Sequence, residues 1–318
     1  MKNIGNTPMI KIKYKYKGKE KHIYTKLEFY NISGSIKDRV AYYILKNAYK
    51  EGTLKKGMEI VEATSGNTGI ALSAMGSFLG NPVHIFMPDW VSKERVNLMQ
   101  MYGAKVTLIS KEEGGFKKAI SSAKEYAREH NGFLANQFEN PYNVLAHYET
   151  TGKEIIEKLD DKIGGFVSGI GTGGTLIGTG RRLKEFDKNI KVYAMEPDKM
   201  PMLSQNKIIS IHKIEGIGDD FIPDIVDRNI IDEIITVDDD DSINMSRKIA
   251  RDLGIGVGIS SGANMIASVI AKENNEKDVV TVFADDNKKY ISTDLSKPID
   301  NNPKYVSNKI EILGYEFV

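Results

Sequence analysis

The sequence predicts an α/β protein built from two parallel-sheet units, and two observations carry that prediction. Short β-branched runs alternate with longer helical patterns along most of the chain. Two glycine-rich turns, "EATSGNTGIAL" and "SGIGTGGTLIGTG", each follow a strand and open a helix. In chain order, the early "KYKYKGKEKH" alternates basic and aromatic residues, which reads as a strand with outward lysines and not as a nucleic-acid patch. "NISGS" then leads into the helix "KDRVAYYILKNAY". A first series follows: "MEIVEA" with "TGIALSAMGSFLG", "PVHIFMP" with "SKERVNLMQMYG", and "KVTLIS" with "FKKAISSAKEYAREH". Polar and turn residues interrupt the pattern at 136–152, so the break between units is expected there. The second series runs "GGFVSGIG", "TLIGTGRRLKEF", "KVYAMEP", "IIDEIITV", "DSINMSRKIARDLG" and "DVVTVFAD". "VDDDDS" reads as a solvated helix start with acidic residues in its first turn. After "FADDNKKYISTDL" too few residues remain for a further regulatory domain, and the tail is expected to cover a surface or an interface.

Composition narrows the chemistry. The 318 residues suffice for about two domains. Lys+Arg 44 against Asp+Glu 43 leave a formal net charge of +1, so no global field recruits nucleic acid or an anionic membrane. A small neutral or zwitterionic substrate fits better. No stretch approaches the ~20 apolar residues of a membrane span, and "MKNIGNTPMIKIKYKYKGKEKH" has no apolar run of signal-peptide length, which predicts a cytoplasmic protein. With no cysteine, disulfides, thiolate nucleophiles, zinc–thiolate sites and iron–sulfur clusters are excluded.

Covalent chemistry must therefore use another side chain or a cofactor, and Lys37 is the first candidate. It stands at the opening of a helix, where the macrodipole disfavours a cation. Positive potential and burial both push an ammonium pKa down, which suits a lysine that must lose its proton. A solvated turn lysine would account for Lys37 taken alone; the two turns add to it. The first offers Thr64, Ser65, Asn67 and Thr68 with free backbone N–H groups at a helix start, a combination that binds a small carboxylate or phosphate, although a good N-cap would look similar.

The second turn admits two readings. Gly169, Gly171 and Gly174 satisfy G-x-G-x-x-G, with Glu196 about 20 residues on, as an NAD-dependent oxidoreductase would require. Alternatively Gly171, Thr172, Gly173, Gly174 and Thr175 wrap one phosphate monoester. The nicotinamide reading leaves Lys37 and the first turn unexplained. A phosphorylated aldehyde cofactor, pyridoxal 5'-phosphate, uses both: an amine for a Schiff base and a cup for its phosphate.

The ordered set "KLEFYNISGSIKDR", "EATSGNTG", "NQFENPYNVLAHYETTG", "SGIGTGGTLIGTGRRLKE", "EPDKMPML", "EGIGDDFIP" and "GISSGAN" resembles the cysteine synthases (O-acetylserine sulfhydrylases) and the catalytic core of cystathionine β-synthase. These are pyridoxal-phosphate enzymes of the tryptophan-synthase-β fold type. The resemblance implies two α/β domains with the cofactor in the cleft between them: a smaller mobile one over 36–142, and a larger one from 1–35 and 143–318. The strand in "KEKHIYTKLEF" would join the larger sheet. It also implies a homodimer. Lys37 corresponds to the Schiff-base lysine and Asn67 to the partner of the cofactor's 3'-oxygen. Thr64, Ser65, Thr68 and Gln137 correspond to the substrate-carboxylate site, and 171–175 to the phosphate cup. Ser260, with Ser261 adjacent, corresponds to the serine at the pyridine nitrogen. Gly216 and Gly218 correspond to backbone near the entrance, and His147 to a structural hydrogen-bonding residue.

The implied activity is β-replacement or β-elimination on an L-serine- or L-cysteine-type amino acid through an α-aminoacrylate, with sulfide as nucleophile or leaving group. The chain departs from the family in two places. Ile32 and Ser33 stand where relatives carry Pro-Gly, which predicts a differently shaped lysine loop. Asp219 and Asp220 stand where small neutral residues are common after "GIG". The resemblance implies cysteine synthesis from O-acetylserine and sulfide as the leading reaction; carboxylates there would repel hydrosulfide and could hold a water, which supports the alternative, release of hydrogen sulfide from L-cysteine with L-serine or lanthionine as product. Asp232 is a third candidate for orienting water, should the fold bring it inward. Solvated loop acids would explain all three equally.

Overall fold

The alternation in "MIKIKYKY" becomes β1 (Met9–Tyr16), with Ile10, Ile12 and Tyr14 buried and Lys13 and Lys15 outward. It turns through Lys17 and Gly18, both at positive φ, into β2 (Lys19–Leu27), with Tyr16 opposite Lys19. Two left-handed residues in a two-residue loop give the turn whose twist suits a hairpin. The computed structural model describes residues 3–298 and 302–318.

The strands that follow are β3 (Ile60–Ala63), β4 (Val83–Pro88), β5 (Lys105–Ile109), β6 (Phe133–Leu134), β7 (Ile163–Gly169), β8 (Lys191–Pro197), β9 (Glu233–Val237), β10 (Asp278–Phe283) and β11 (Ile310–Phe317). They form two sheets, in the orders β11-β1-β2-β10-β7-β8-β9 and β5-β4-β3-β6. The four-stranded sheet is parallel throughout, as is the run from β2 to β9 in the other. Parallel strands are covered on both faces. "IVEA" and "VHIFMP" are accordingly buried at every position.

Helices supply the cover: α1 (Lys37–Glu51), α2 (Asn67–Leu79), α3 (Lys93–Met101) and α4 (Gly115–Glu129) with the smaller sheet; α5 (Pro141–Ala146), α6 (Lys153–Leu159), α7 (Gly174–Phe186), α8 (Met202–Gln205), α9 (Asp239–Leu253) and α10 (Ile259–Glu273) with the larger. Val40, Ile44 and Leu45 of α1 join Ile70, Leu72 and Met75 of α2 in one core. The strand in "KEKHIYTKLEF" pairs β10 and β1 of the larger sheet, as expected.

The structure corrects one expectation and adds detail to two. The stretch read as a break, 136–152, is largely helical: Asn140 caps α5 by accepting from Tyr142 N–H at 3.0 Å, and a π-turn over His147–Gly152 runs straight into α6. The acidic start of α9 is not all solvated. Asp238 accepts the Asp241 N–H at 2.8 Å as a cap, but Asp239 and Asp241 are buried, Asp241 accepting Val306 and Ser307 N–H at 2.7 and 3.0 Å. The tail supplies a strand, β11, along β1.

Candidate active site

The loops at the carboxyl ends of β3, β7 and β10 converge on one cleft, the usual ligand position of open parallel sheets. Lys37 reaches it as the first residue of α1. Ser35 Oγ accepts the Lys37 N–H at 3.2 Å, and Asp38 accepts the Ser33 N–H and hydroxyl at 2.8 and 2.5 Å, so the departing Ile32–Ser33 loop is stapled to its own helix. Burial lowers the Lys37 ammonium to about 8, although Asp219 and Asp285 pull the other way.

Two residues on, Arg39 anchors the helix from behind. Its guanidinium grips the buried Glu28 at 2.7 and 2.9 Å and Glu154 at 2.6 and 2.8 Å, while Lys26 pairs with Glu154 at 2.8 Å. Positions two apart on a helix face different ways. The network therefore fixes α1 without occupying the cleft.

The turn after β3 is built around Gln137. Thr68 Oγ1 donates to Gln137 Oε1 at 2.5 Å, Gln137 Nε2 donates to Ala63 O at 3.0 Å, and Gln137 N–H donates to Glu62 at 3.0 Å. Thr64 Oγ1 accepts the Gly66 N–H at 3.1 Å. Thr64, Ser65, Thr68 and Gln137 thus line the cleft together, beside the unpaired N–H groups that begin α2. Asn67 Nδ2 donates at 2.7 Å to Asp285, which also accepts the Tyr290 hydroxyl at 2.7 Å.

The second turn forms a cup. A Cβ on Gly171 would lie 2.3 Å from Gly216 O, and one on Gly174 would lie 1.9 Å from Asn143 Oδ1. Gly173 has φ +91°. Thr172 Oγ1 accepts from Asn143 Nδ2 at 2.9 Å, and Thr175 Oγ1 meets His147 Nε2 at 3.2 Å. His147 is buried, which pushes its pKa well below the usual value, and its other nitrogen meets Thr151 at 2.9 Å. It is a neutral structural group. Ser260 lines the cleft, whereas Ser261 accepts the Ala284 N–H at 3.1 Å, which separates the two serines.

The three acids part company. Asp219 lies in the cleft, where burial and then Asp220 raise its carboxyl to about 7 against the opposing pull of Lys37. Asp220 faces an outer vestibule of about 1000 Å³ and pairs with Lys117 at 2.8 Å. Asp232 does not come inward. It stands before the first residue of β9, at the strand end away from the cleft, and holds Lys184 Nζ and Val192 N–H at 2.7 Å each. Its role is to pin β8. Gly216 and Gly218, at φ +88° and +72°, carry the backbone past the cup, and His212 Nε2 secures Gly218 O at 2.8 Å.

These residues fit pyridoxal phosphate. Asn67, which lines the cleft, has its Oδ1 buried without a partner, and the glycines leave a cradle beside the N–H groups that begin α7. The dinucleotide reading loses its ribose acid: Glu196 accepts Leu203 N–H at 2.7 Å and Ser204 N–H at 3.0 Å, capping α8.

Sequence reasoning missed Asp285, Arg95, Glu215 and Tyr290. Asp285 had a signal, since "FAD" closes a parallel strand at the ligand end. Glu215 opens the quoted "EGIGDDFIP", where the glycines and aspartates drew the reading, and Arg95 and Tyr290 come from segments with no motif.

The family model for pyridoxal-phosphate dependent enzymes matches residues 1–285. A cysteine synthase of Staphylococcus aureus (strain Mu50 / ATCC 700699) is 42% identical over 295 residues, covering 92% of this chain and 94% of that protein. The crystal structure of a hydrogen sulfide-producing enzyme from Fusobacterium nucleatum superposes with a TM-score of 0.95 at 47% identity, covering 100% of this chain and 97% of that one. That of O-acetyl serine sulfhydrylase isoform 3 from Entamoeba histolytica gives 0.88 at 39% identity, covering 96% and 93%. With a cleft that fits the cofactor and a match over most of its length, the chain belongs to the pyridoxal-phosphate dependent enzyme family.

Proposed function

We propose that the protein catalyses β-elimination and β-replacement on L-cysteine, releasing hydrogen sulfide and capturing water to give L-serine. Carbon–sulfur chemistry of this type, with sulfide as leaving group or nucleophile, is what its cysteine synthase and hydrogen sulfide-producing relatives support. Asp219 carries the choice of direction.

When bound, pyridoxal phosphate supplies the electron sink that lets the α-proton and the β-substituent leave. Gly171, Thr172, Gly173, Gly174 and Thr175 would hold its phosphate, Asn67 and Ser260 would hydrogen-bond its ring substituents, and Lys37 would supply the amine for its aldehyde. Ser260 would offer the ring nitrogen a hydroxyl instead of an acid, which would temper the electron sink. Thr64, Ser65, Thr68 and Gln137 hold the substrate carboxylate, assisted by the N-terminal N–H groups of α2. The Gly216 backbone flanks the substrate. Lys37 Nζ, its affinity for a proton lowered by burial, takes the α-proton. Asp219 accepts the proton of the attacking water.

A base poised near 7 is half ionised at neutral pH, which suits that transfer. Hydrosulfide needs no such base, and a carboxylate opposes its approach. Asp220, paired with Lys117, is a vestibule charge with no part in the step. The vestibule has room for a second amino acid, so a second cysteine giving lanthionine is a compatible outcome. The smaller unit, 36–142, closes on the substrate, since the carboxylate turn belongs to it. The enzyme works as a cytoplasmic homodimer, a reading supported by the family resemblance.

The test incubates the holoenzyme with L-cysteine alone and measures sulfide and L-serine. Asp219→Asn should lower serine formation by about 10²-fold or more, the usual share of a general base, while Asp220→Asn leaves it within about threefold. Serine formation should fall as pH drops below 7, where Asp219 gains its proton. Absence of serine, beside brisk cysteine formation from O-acetylserine and sulfide, would leave the synthetic direction standing instead.

A further inference from the structure

The start of α3 is tied to the larger-sheet unit by three separate contacts. Ser92 Oγ donates to Lys289 O at 2.7 Å. Glu94 accepts the Ser292 N–H and hydroxyl at 2.9 and 2.7 Å. Arg95 stacks on the Tyr290 ring, 4.5 Å from its centroid, and pairs with Glu215. Arg95 is 2% exposed, so its charge depends on these partners. Its stem packs against the carboxylate turn at the wall of the cleft: a Cβ on Gly66 would fall 2.4 Å from Arg95 Cδ. Glu215 in turn precedes Gly216, whose carbonyl sits against Gly171 of the cup. Tyr290 continues the chain through Asp285 to Asn67.

We propose that Arg95 is a positioning residue, latched to Glu215 across the cleft, that holds the Thr64–Thr68 turn in the shape that binds the substrate carboxylate. The proposal rests on the reading that this turn holds the carboxylate. A flat guanidinium serves here because it can stack on Tyr290 while donating in its plane to Glu215 and, at 3.2 Å, to Ser92. An ammonium, a point charge without a planar face, reproduces this only in part. The latch has a partly exposed end at Glu215 and a buried end against Gly66, so it joins the carboxylate turn to the loop that carries Gly216.

The experiment titrates holoenzyme with L-serine, following the visible absorption of the bound cofactor, and measures kcat and KM with L-cysteine. Arg95→Met should weaken L-serine binding at least tenfold and raise KM similarly, with kcat changing less than KM. Arg95→Lys should recover part of the loss, and Glu215→Gln should weaken binding by a smaller factor. The double variant Arg95→Met/Glu215→Gln should be no worse than Arg95→Met, because both act through one contact. Glu215 is partly exposed, so Glu215→Gln and Arg95→Lys carry the test should Arg95→Met fold poorly. Thr68→Ala probes the carboxylate reading separately. Unchanged binding in the Arg95 and Glu215 variants beside weakened binding in Thr68→Ala would overturn the latch alone. An unchanged Thr68→Ala would overturn the carboxylate reading and the proposal together. Losses from the two latch variants that multiply independently would also refute it.

Discussion

Gly171→Ala offers the sharpest test of how the phosphate cup and the entrance loop are joined. The new Cβ would stand 2.3 Å from the carbonyl oxygen of Gly216. Carbon and oxygen approach to about 3.3 Å without strain, so one of the two backbones must retreat by about 1 Å. Neither is free to do so. Gly218 N–H is bonded to Ile170 O at 2.9 Å, His212 grips Gly218 O at 2.8 Å, and Gly171 is held by β7 behind it. Forced overpacking of this kind costs about 1–3 kcal/mol, and a misplacement of about 1 Å at a reacting centre costs on the order of 10²-fold in rate. Asp219 rides on the displaced loop, so turnover should suffer beyond cofactor affinity. Cofactor-free enzyme is titrated with pyridoxal phosphate, and the reconstituted enzyme is then assayed for sulfide release from L-cysteine. We expect roughly 5- to 150-fold weaker cofactor binding, the stated cost at about 1.4 kcal/mol per tenfold, together with a lower kcat at saturating cofactor. Gly216→Ala is the control. Nothing lies within 4 Å of its added Cβ, and only the φ of +88° is strained, at about 1–2 kcal/mol. Gly171→Ala behaving no worse than Gly216→Ala would refute the reasoning.

Two further outcomes follow from the site and its support. Lys37→Ala should abolish turnover while pyridoxal phosphate still binds by equilibrium dialysis, because the cup and the amine are separate anchors; normal turnover would remove Lys37 from its role. Burial tends to raise the Glu28 carboxyl, but the Arg39 guanidinium against it brings it from 4.5 to about 2. A depressed acid stabilises the fold above its unfolded pKa and loses that contribution as pH falls through its folded one. The stability gap between wild type and Glu28→Gln should therefore be about 3–5 kcal/mol near neutral pH and narrow steadily as pH falls from 4.5 toward 2, measured by urea unfolding; a gap independent of pH would show that the ion pair is not its source.

The sequence determined by itself whatever is encoded locally. Strand–turn–helix alternation, the lysine at a helix start, and two glycine turns with hydroxyls all act within a few residues, so they are legible before folding. The lysines of β1 faced outward for the same reason: period-two alternation leaves no other arrangement when one face is buried. Tertiary structure decided what depends on residues far apart. Asp219, Asp220 and Asp232 are chemically identical in the sequence, and only the fold separates them: Asp219 lies in the cleft, while its neighbour Asp220 pairs with Lys117 outside it. Asp219 follows a glycine loop pressed against the cup, whereas Asp232 precedes β9 at the opposite end of the sheet and is held by Lys184. Ser260 and Ser261 are separated by the helical turn that aims one at the cleft and the other at Ala284. Arg95 looks like an ordinary charge on an amphipathic helix, and becomes buried because residues 120 and 195 positions later, Glu215 and Tyr290, close over it. Local sequence sets which groups are present and how each turn is shaped; burial and pairing, which set a charge's energy and hence its chemistry, are properties of the assembled cleft.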